Sequence, residues 1–166
     1  ILRYARETSI VMASTYNSYK AYTIDREAPI ARGWGLRNRS SMIRVPYASD
    51  PSATRIELRS PDPSGNVYLQ MAVFIAMGLQ GLRDSIDPGE PDTGNVYKKN
   101  TYSRIKDSRL LPRSMFEALA EAENSEFLRG VLGEGLFKSY MELKTTEWES
   151  FRTAVTTLEH TAYLSI

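Results

Sequence analysis

The stretch from Arg37 to Pro63 constrains the fold of this chain more than any other part of its sequence. Two arms, RNRSSMIRVP and TRIELRSPDP, are rich in β-branched and apolar residues and flank the segment YASDPSA. β-Branched residues favour strands, and a Ser-Asp-Pro sequence is typical of a turn. The stretch therefore predicts two antiparallel strands joined as a β-hairpin.

The charges on the two arms are strongly unequal. Successive side chains of a strand point to opposite faces, so the second arm places an arginine, a glutamate and an arginine on one face. In the first arm two arginines share a face, and Arg44, which has the opposite parity, joins them only through a bulge or twist. The hairpin thus gathers up to five guanidinium groups around one carboxylate: Arg37, Arg39, Arg44, Arg55 and Arg59 around Glu57.

Two interpretations of this cluster are open from the residues alone. Charged side chains commonly cover the solvated face of a hairpin, where a cross-strand Arg–Glu pair contributes at most about 1 kcal/mol. Alternatively the cluster is an anion site, because arginine binds phosphate and carboxylate through a planar, bidentate fork that lysine lacks. Every cation between Arg26 and Arg59 is an arginine, which is the pattern that an anion site requires.

The basic residues lie mainly in the first part of the chain. Residues 1–59 hold 10 Lys/Arg and 5 Asp/Glu, whereas residues 60–166 hold 11 and 15, although the net charge is only +1. A local excess of positive charge around the hairpin favours a small anionic ligand over general attraction to nucleic acid or membrane. The basic face also lacks the interleaved aromatic residues of single-strand binders, so we expect no nucleic-acid partner.

Several classes of protein are disfavoured by what the sequence lacks. The absence of cysteine excludes disulfides and thiolate metal sites and favours a cytoplasmic location. The longest nearly uninterrupted apolar run, residues 68–79, is too short to cross a bilayer, and no signal peptide is visible. Because the chain starts with Ile1 rather than methionine, we expect it to be part of a longer protein. With His160 as the single histidine, the chain alone holds no His metal cluster and no Ser–His pair.

The remaining pattern indicates an α+β fold, with the hairpin or a small antiparallel sheet packed against several helices. Residues 66–86 are expected to form a helix that is apolar on nearly all sides from Tyr68 to Leu79 and is therefore buried. Residues 16–33 lack a sustained period and are expected to form an exposed loop, as are the polar residues 87–109. Further helices are predicted over residues 1–14, from residue 110, over 125–132 and over 135–155.

At the hairpin the sequence resembles the glutamine synthetase family, type I-like, in the C-terminal part of its catalytic domain. The resemblance covers residues 1–166 and rests on long, ordered motifs, above all NRS-x-x-IR-V-P followed by RIE-x-R-x-PDP. The matching segments are NSYK (17–20), EAP (27–29), NRSSMIRVP (38–46), RIELRSPDPSGNVYL (55–69), GLQGLRDSIDPGE (78–90), LPRSMFEAL (111–119) and EWESFRTAVT (147–156).

The resemblance implies an ATP-dependent ligase. Members of this family phosphorylate the side-chain carboxylate of glutamate with ATP, and ammonia then displaces phosphate from the acyl phosphate to give glutamine. Two divalent metal ions, Mg²⁺ or Mn²⁺, assist, and the subunits form double rings with each active site between two subunits. The family's other metal-binding residues would precede residue 1. We therefore expect this piece alone to be inactive and to expose hydrophobic surface that the absent strands would cover.

The family's nucleotide and metal residues match the hairpin. Glu57 matches a carboxylate that binds one of the metal ions. Arg39 matches the arginine that reaches the transferring phosphate, while Arg44 and Arg55 match positions close to the nucleotide phosphates. Phosphoryl transfer depends on positioning and on charge neutralisation, so the resemblance favours the anion site over a solvated face.

Other family residues match the acid and amine side of the site. Arg59 matches an arginine that contacts the substrate glutamate and the phosphoryl group. Glu27 matches the flap glutamate, which closes the site and helps to take a proton from the incoming ammonium. Tyr97, in GNVY (94–97), matches a tyrosine that some bacterial members modify by adenylylation.

The match fails in two places. The family usually has NSYKR, whose arginine grips the α-carboxylate of glutamate, but this chain has Ala21 there. The usual Pro-Gly-aromatic stretch before EAP is replaced by residues 24–26, Ile-Asp-Arg. Three accounts are open: Arg26 replaces the missing cation; the protein is a relative such as a γ-glutamyl-amine ligase that uses another acid or amine; or it is a non-catalytic scaffold or regulatory member.

Overall fold

The computed structural model describes residues 1–24, 26–98, 105 and 109–164. Asp25 and much of the predicted excursion 87–109 therefore lie outside the described residues. The α+β fold class is confirmed, since a three-stranded sheet packs with helices. The elements are α1 Ser9–Met12, β1 Trp34–Leu36, β2 Ile43–Val45, β3 Glu57–Leu58, α2 Val67–Arg83, α3 Met115–Glu123, α4 Glu126–Leu132, α5 Glu134–Thr153 and α6 Thr157–Tyr163, with 3₁₀ turns at Tyr16–Ala21 and Pro51–Ala53.

The hairpin is present as β2 and β3, which pair antiparallel with Ile43 opposite Leu58 and Arg44 opposite Glu57. The strands are much shorter than the two predicted arms. A further strand, β1, pairs with the other edge of β2 in parallel, with Trp34 opposite Ile43. The sequence did not indicate β1, because a strand of three residues has too little alternation to be recognised.

The expected sharing of a face by the two arginines of the first arm is wrong. Arg37 has a positive φ of 56°, a conformation outside the strand region, and the chain then turns until Ser41. Strand parity consequently has no meaning for Arg37 and Arg39. Arg44 needs no bulge to reach Glu57, because the register places the two residues directly opposite each other.

The expected exposed loop over residues 16–33 is also wrong in its first part. Thr15 and Ser18 cap the 3₁₀ turn reciprocally through side-chain and backbone hydrogen bonds. Tyr19 and Tyr22 are buried in the core, and the Tyr22 hydroxyl donates to the Ser60 carbonyl at 2.8 Å. Two tyrosine rings bury large apolar areas, and this burial outweighs the polar composition of the segment.

The main core forms around α1. Ile10 and Val11 are almost completely shielded from solvent, at 0% and 1% exposure, and they pack with residues of α2, α3, α4 and α5. The Tyr140 hydroxyl on α5 donates to the Ile10 carbonyl at 2.9 Å. The first part of the chain is thereby held against the last long helix.

The prediction that α2 is buried on all sides is wrong for one face. Val73 and Met77 are buried, and the buried Gln70 amide donates to the carbonyls of Met12 and Asp62 at 3.2 and 2.8 Å. The opposite face is apolar and exposed, which agrees with the expectation of uncovered hydrophobic surface. Its residues are Val67, Tyr68, Met71, Ile75, Leu79 and Leu82. Among the described residues, no helix is long and apolar enough to cross a membrane.

The core predicts a sharp difference between two leucines. We expect Leu128→Ala to lower the free energy of unfolding by about 2–5 kcal/mol, because Leu128 is fully buried and truncation leaves a cavity. Leu143→Ala on the exposed side of α5, where the leucine is 62% exposed, should change it by less than about 0.5 kcal/mol. Denaturant unfolding of both variants measures the difference, and equal losses would contradict this description of the core.

Candidate active site

The centre of the candidate site is one carboxylate held by two arginines. Arg44 Nη1 on β2 donates to Glu57 Oε2 at 2.6 Å, and Arg55 Nη2 lies 3.4 Å from Glu57 Oε1. Each oxygen therefore has its own guanidinium. The pairing register of β2 with β3 fixes the stronger of the two contacts, so the backbone positions this ion pair.

The charges around Glu57 keep it ionised. The hydrogen bond from Arg44 lowers the pKa of the Glu57 carboxyl below its ordinary value, and the charges of Arg44, Arg55 and Arg39 lower it further. A carboxylate has about four lone-pair positions, and the two arginines use two of them. Glu57, whose side chain is 35% exposed, retains acceptor capacity for a hard metal ion, as an ionised oxygen ligand must.

The side chain of Arg59 does not join Glu57, although the strand alternation predicted that the two residues share a face. Its Nη2 donates to the Glu27 carbonyl at 2.9 Å, and its Nη1 donates to the Arg39 carbonyl and lies 3.4 Å from the Ser41 carbonyl. The partial negative charge on these backbone oxygens stabilises the guanidinium without neutralising it. The structure thus uses Arg59 to connect β3 with the turn before β2 and with the Glu27 segment.

A loop formed by residues 91–97 packs against the turn that carries Arg39. Asn38 Nδ2 donates to the Gly94 carbonyl at 2.9 Å, and the Val96 amide donates to Ser40 Oγ at the same distance. Between this loop and residues 36–40 lies an open cavity of about 750 Å³. Arg37 and Arg39 both line this cavity, so positive charge faces it.

Asp92 anchors the same loop and was missed by sequence reasoning. Its carboxylate accepts from Arg109 Nη2 at 2.7 Å and from Ser41 Oγ at 3.1 Å. The partners lie 17 and 51 residues away in sequence, so no local pattern could reveal them. The only available signal was the polar run NRSS (38–41), whose short side chains commonly bond to nearby backbone or loops.

The structure forms two groups from the residues proposed on sequence. Arg44, Arg55 and Glu57 come together, with Arg39 close enough to influence the pKa of Glu57. The second group is joined by hydrogen bonds at the Glu27 carbonyl and comprises Glu27, Arg59 and Tyr97.

The two positions where the family match fails precede Glu27 in the sequence. Ala21 ends the 3₁₀ turn Tyr16–Ala21 and offers no polar side chain. Arg26 is exposed, and among the described residues its side chain makes no hydrogen bond or ion pair. Within the part of the chain that the structure describes, the side chain of Arg26 is therefore not engaged in holding the fold.

Within the described residues no cluster of three His, Cys, Asp or Glu side chains could hold a metal ion by itself. Glu57 is a suitable single ligand because it is ionised and half-buried between arginines. A metal ion bound here would need further ligands from outside the described residues.

The contact distances predict how Glu57 titrates. We expect Arg44→Met to raise the pKa of the Glu57 carboxyl toward its ordinary value, and Arg55→Met to raise it less, since its contact is longer. Because the folded pKa is lowered, the stability from this pair is present above the unfolded pKa and is lost as pH falls through the folded pKa.

The carboxylate carbon resonance of Glu57 in metal-free protein measures this pKa on acid titration. Arg113→Met, which removes a distant pair with Glu117 at 3.9 Å, is the matched control and should leave Glu57 unchanged. Equal shifts from Arg44→Met and Arg55→Met would contradict the geometry.

Comparison with known proteins identifies the family. Residues 1–163 match the family model described as glutamine synthetase, catalytic domain. The glutamine synthetase of Methanosarcina mazei is 39% identical, with 100% of this chain and 37% of that protein covered. The glutamine synthetase of Mycolicibacterium smegmatis is 40% identical, with 100% of this chain and 38% of that protein covered.

Solved structures give the same result. Apo GmaS without ligand superimposes with a TM-score of 0.82 at 29% identity, covering 99% of this chain and 36% of that one. A GmaS/ADP complex gives a TM-score of 0.82 at 28% identity, covering 99% and 38%. The chain thus spans little more than a third of the length of these relatives. It belongs to the glutamine synthetase family, in which its residues correspond to part of the catalytic domain.

Proposed function

We propose that this chain is the C-terminal portion of the catalytic domain of an ATP-dependent carboxylate–amine ligase. The proposed reaction joins glutamate to ammonia, with ATP activating the glutamate side chain as an acyl phosphate that ammonia then attacks. The observation that carries this proposal is the ionised Glu57 carboxylate held between Arg44 and Arg55 on paired strands. Family membership supports the ligase chemistry.

The nucleotide side of the site is formed by arginines of the sheet and the preceding turn. We assign Arg44 and Arg55 to the nucleotide phosphates and Arg39 to the phosphoryl group being transferred. Guanidinium groups suit this role because they neutralise charge on phosphate oxygens and hold them in a fixed orientation. The similarity to a GmaS/ADP complex supports a nucleotide site in this fold.

Glu57 is the proposed metal ligand of this chain. Its ionised state and its free lone pairs fit Mg²⁺ or Mn²⁺, which prefer oxygen ligands. When bound, such an ion supplies charge neutralisation for the phosphates. Arg44 and Arg55 meanwhile hold the carboxylate in place, so that one of the ligand positions is preorganised by the sheet.

Arg59 and Glu27 serve the acid and the amine in this proposal. Arg59 donates to backbone carbonyls through both Nη atoms, but a guanidinium has five N–H groups, so donors remain for a substrate carboxylate. The Glu27 side chain is exposed, and we assign to it the acceptance of a proton from ammonium. A segment that covers the site would also exclude water from the acyl phosphate.

Ala21 gives specific support to a second candidate function. Loss of one bidentate carboxylate contact typically costs about 2–3 kcal/mol of binding, or roughly a hundredfold. A γ-glutamyl-amine ligase of the same family, using another acid or amine, would accommodate this change. A non-catalytic scaffold or regulatory subunit is the remaining alternative and is disfavoured by the arginine-bound Glu57.

We also infer that the active protein is a cytoplasmic homo-oligomer of the double-ring type. The apolar face of α2 supports association alone, because its exposed residues are of the kind that other parts of the protein or neighbouring subunits cover.

The decisive experiment is ATP turnover by the full-length protein with Mg²⁺. We expect phosphate release with glutamate plus ammonia; release only with an amine or another acid would identify a specialised ligase. If assembled protein released no phosphate with any pair of acid and amine, the enzyme proposal would be overturned in favour of the scaffold.

Glu57→Gln should lower the rate of ATP turnover at least a hundredfold, because the amide is a poor substitute for an ionised metal ligand.

A second measurement tests whether Arg26 replaces the arginine missing at position 21. If it does, Arg26→Ala should raise KM for the acid substrate by roughly a hundredfold and leave KM for ATP within about twofold, while Arg26→Lys should restore part of the affinity. An unchanged KM for the acid in Arg26→Ala would exclude this role. Ala21→Arg, which restores the family residue, should then lower the same KM.

A further inference from the structure

We propose that Tyr97 is a positioning residue that, together with Arg59, fixes the backbone at Glu27 and so determines where the Glu27 carboxylate stands. The clamp consists of the hydrogen bonds that join Tyr97, Arg59 and Glu27. Its catalytic consequence rests on the proposed function, in which Glu27 takes a proton from ammonium.

The clamp consists of two donors on one oxygen. Tyr97 Oη donates to the Glu27 carbonyl at 2.7 Å, and Arg59 Nη2 donates to the same oxygen at 2.9 Å. Arg59 Nη1 also lies 3.5 Å from Tyr97 Oη, so the three groups form a closed triangle. Because a carbonyl oxygen has two lone pairs, both are used, and the peptide group after Glu27 is held in one orientation.

The Tyr97 side of the clamp has firm support. The Tyr97 amide donates to Asn95 Oδ1 at 2.8 Å, which closes a tight local turn. The neighbouring Val96 is buried at 6% exposure and packs with Ile30 and Ala31. The loop that carries Tyr97 therefore shares a small core with the chain that follows Glu27, and this packing fixes the position of one segment relative to the other.

The Arg59 side is anchored to the sheet. The Arg59 amide donates to the Met42 carbonyl at 2.9 Å, next to the paired residues of β2 and β3, and Nη1 donates to the Arg39 carbonyl. The clamp thus joins the Glu27 segment to the same turn and strands that hold the arginines of the nucleotide side. A shift of the clamp would change the distance between Glu27 and those arginines.

The Glu27 side chain itself is free to act. It is exposed, while two residues later Pro29 is fully buried and fixes the chain direction. The backbone between these points is held by the clamp and the buried proline. Burial raises the pKa of the Tyr97 phenol above its ordinary value, so the hydroxyl remains protonated and able to donate at neutral pH.

The test compares Tyr97→Phe with Tyr163→Phe in the full-length protein. Tyr97→Phe removes the hydroxyl and keeps the ring, whereas Tyr163 is 68% exposed on α6 and serves as the matched control. Hydrogen exchange followed by mass spectrometry on peptides covering residues 26–32 measures the clamp. We expect exchange at least fivefold faster in Tyr97→Phe and unchanged in Tyr163→Phe.

Steady-state phosphate release measures the catalytic consequence. We expect Tyr97→Phe to raise KM for ammonia about tenfold and to leave KM for ATP within about twofold, since the nucleotide arginines are not held by Tyr97. A loss of folded protein would lower kcat and leave both KM values unchanged, so it is distinguishable from mispositioning.

Each outcome decides part of the proposal. Unchanged exchange in Tyr97→Phe would overturn the clamp. Faster exchange with an unchanged KM for ammonia would overturn the positioning role of Tyr97. If the unsubstituted protein released no phosphate with any acid and amine, both the proposed function and the catalytic role of the clamp would be overturned. Hydrogen exchange alone would then decide whether the clamp exists.

Discussion

The pairing of Arg44 with Glu57 across β2 and β3 is the contact on which the arrangement of the site depends. A slip of one residue in the register would move every side chain of a strand to the opposite face. Glu57 would then face the apolar residues that now surround Leu58, where burying an ionised carboxylate costs free energy. Arg44 would lose its partner. The ion pair and the hydrophobic packing of Ile43 and Leu58 therefore select the same register, and this agreement fixes the carboxylate relative to its arginines.

The excess of arginine over carboxylate has an energetic cost that the structure partly offsets. Like charges gathered near one another repel, most strongly where solvent is limited. Arg59 directs its donors to backbone carbonyls, which carry partial negative charge, and Arg109 pairs with Asp92. Arg39 remains exposed beside the open cavity and close to Glu57. Exposed positive charge is thus present at the cavity lined by Arg37 and Arg39, which is an electrostatic condition for binding a polyanionic ligand.

The parts of the fold that the sequence predicted are those determined by local patterns. The alternation around Glu57 predicted β3 and its partner strand, and helix signals predicted α4 and most of α5. Contacts between distant residues were missed, including the pairing of β1 and the bonds of Asp92, because no local period encodes them. The burial of Tyr19 was also missed, because it depends on which surface of the fold the ring can pack against. The exposure of Leu82 was missed because it depends on which other elements pack against α2.

The departures from the family pattern, Ala21 and residues 24–26, precede Glu27 in the sequence. Glu27 is assigned to the amine, whereas Arg39, Arg44, Arg55 and Glu57 retain the full set proposed for nucleotide and metal. Repulsion among these arginines is destabilising unless an anion or metal-bound phosphate compensates for it. The proposed anionic ligand therefore accounts for the retained arginines, whereas a purely structural role explains neither the exposed Arg39 nor the ionised carboxylate beside it.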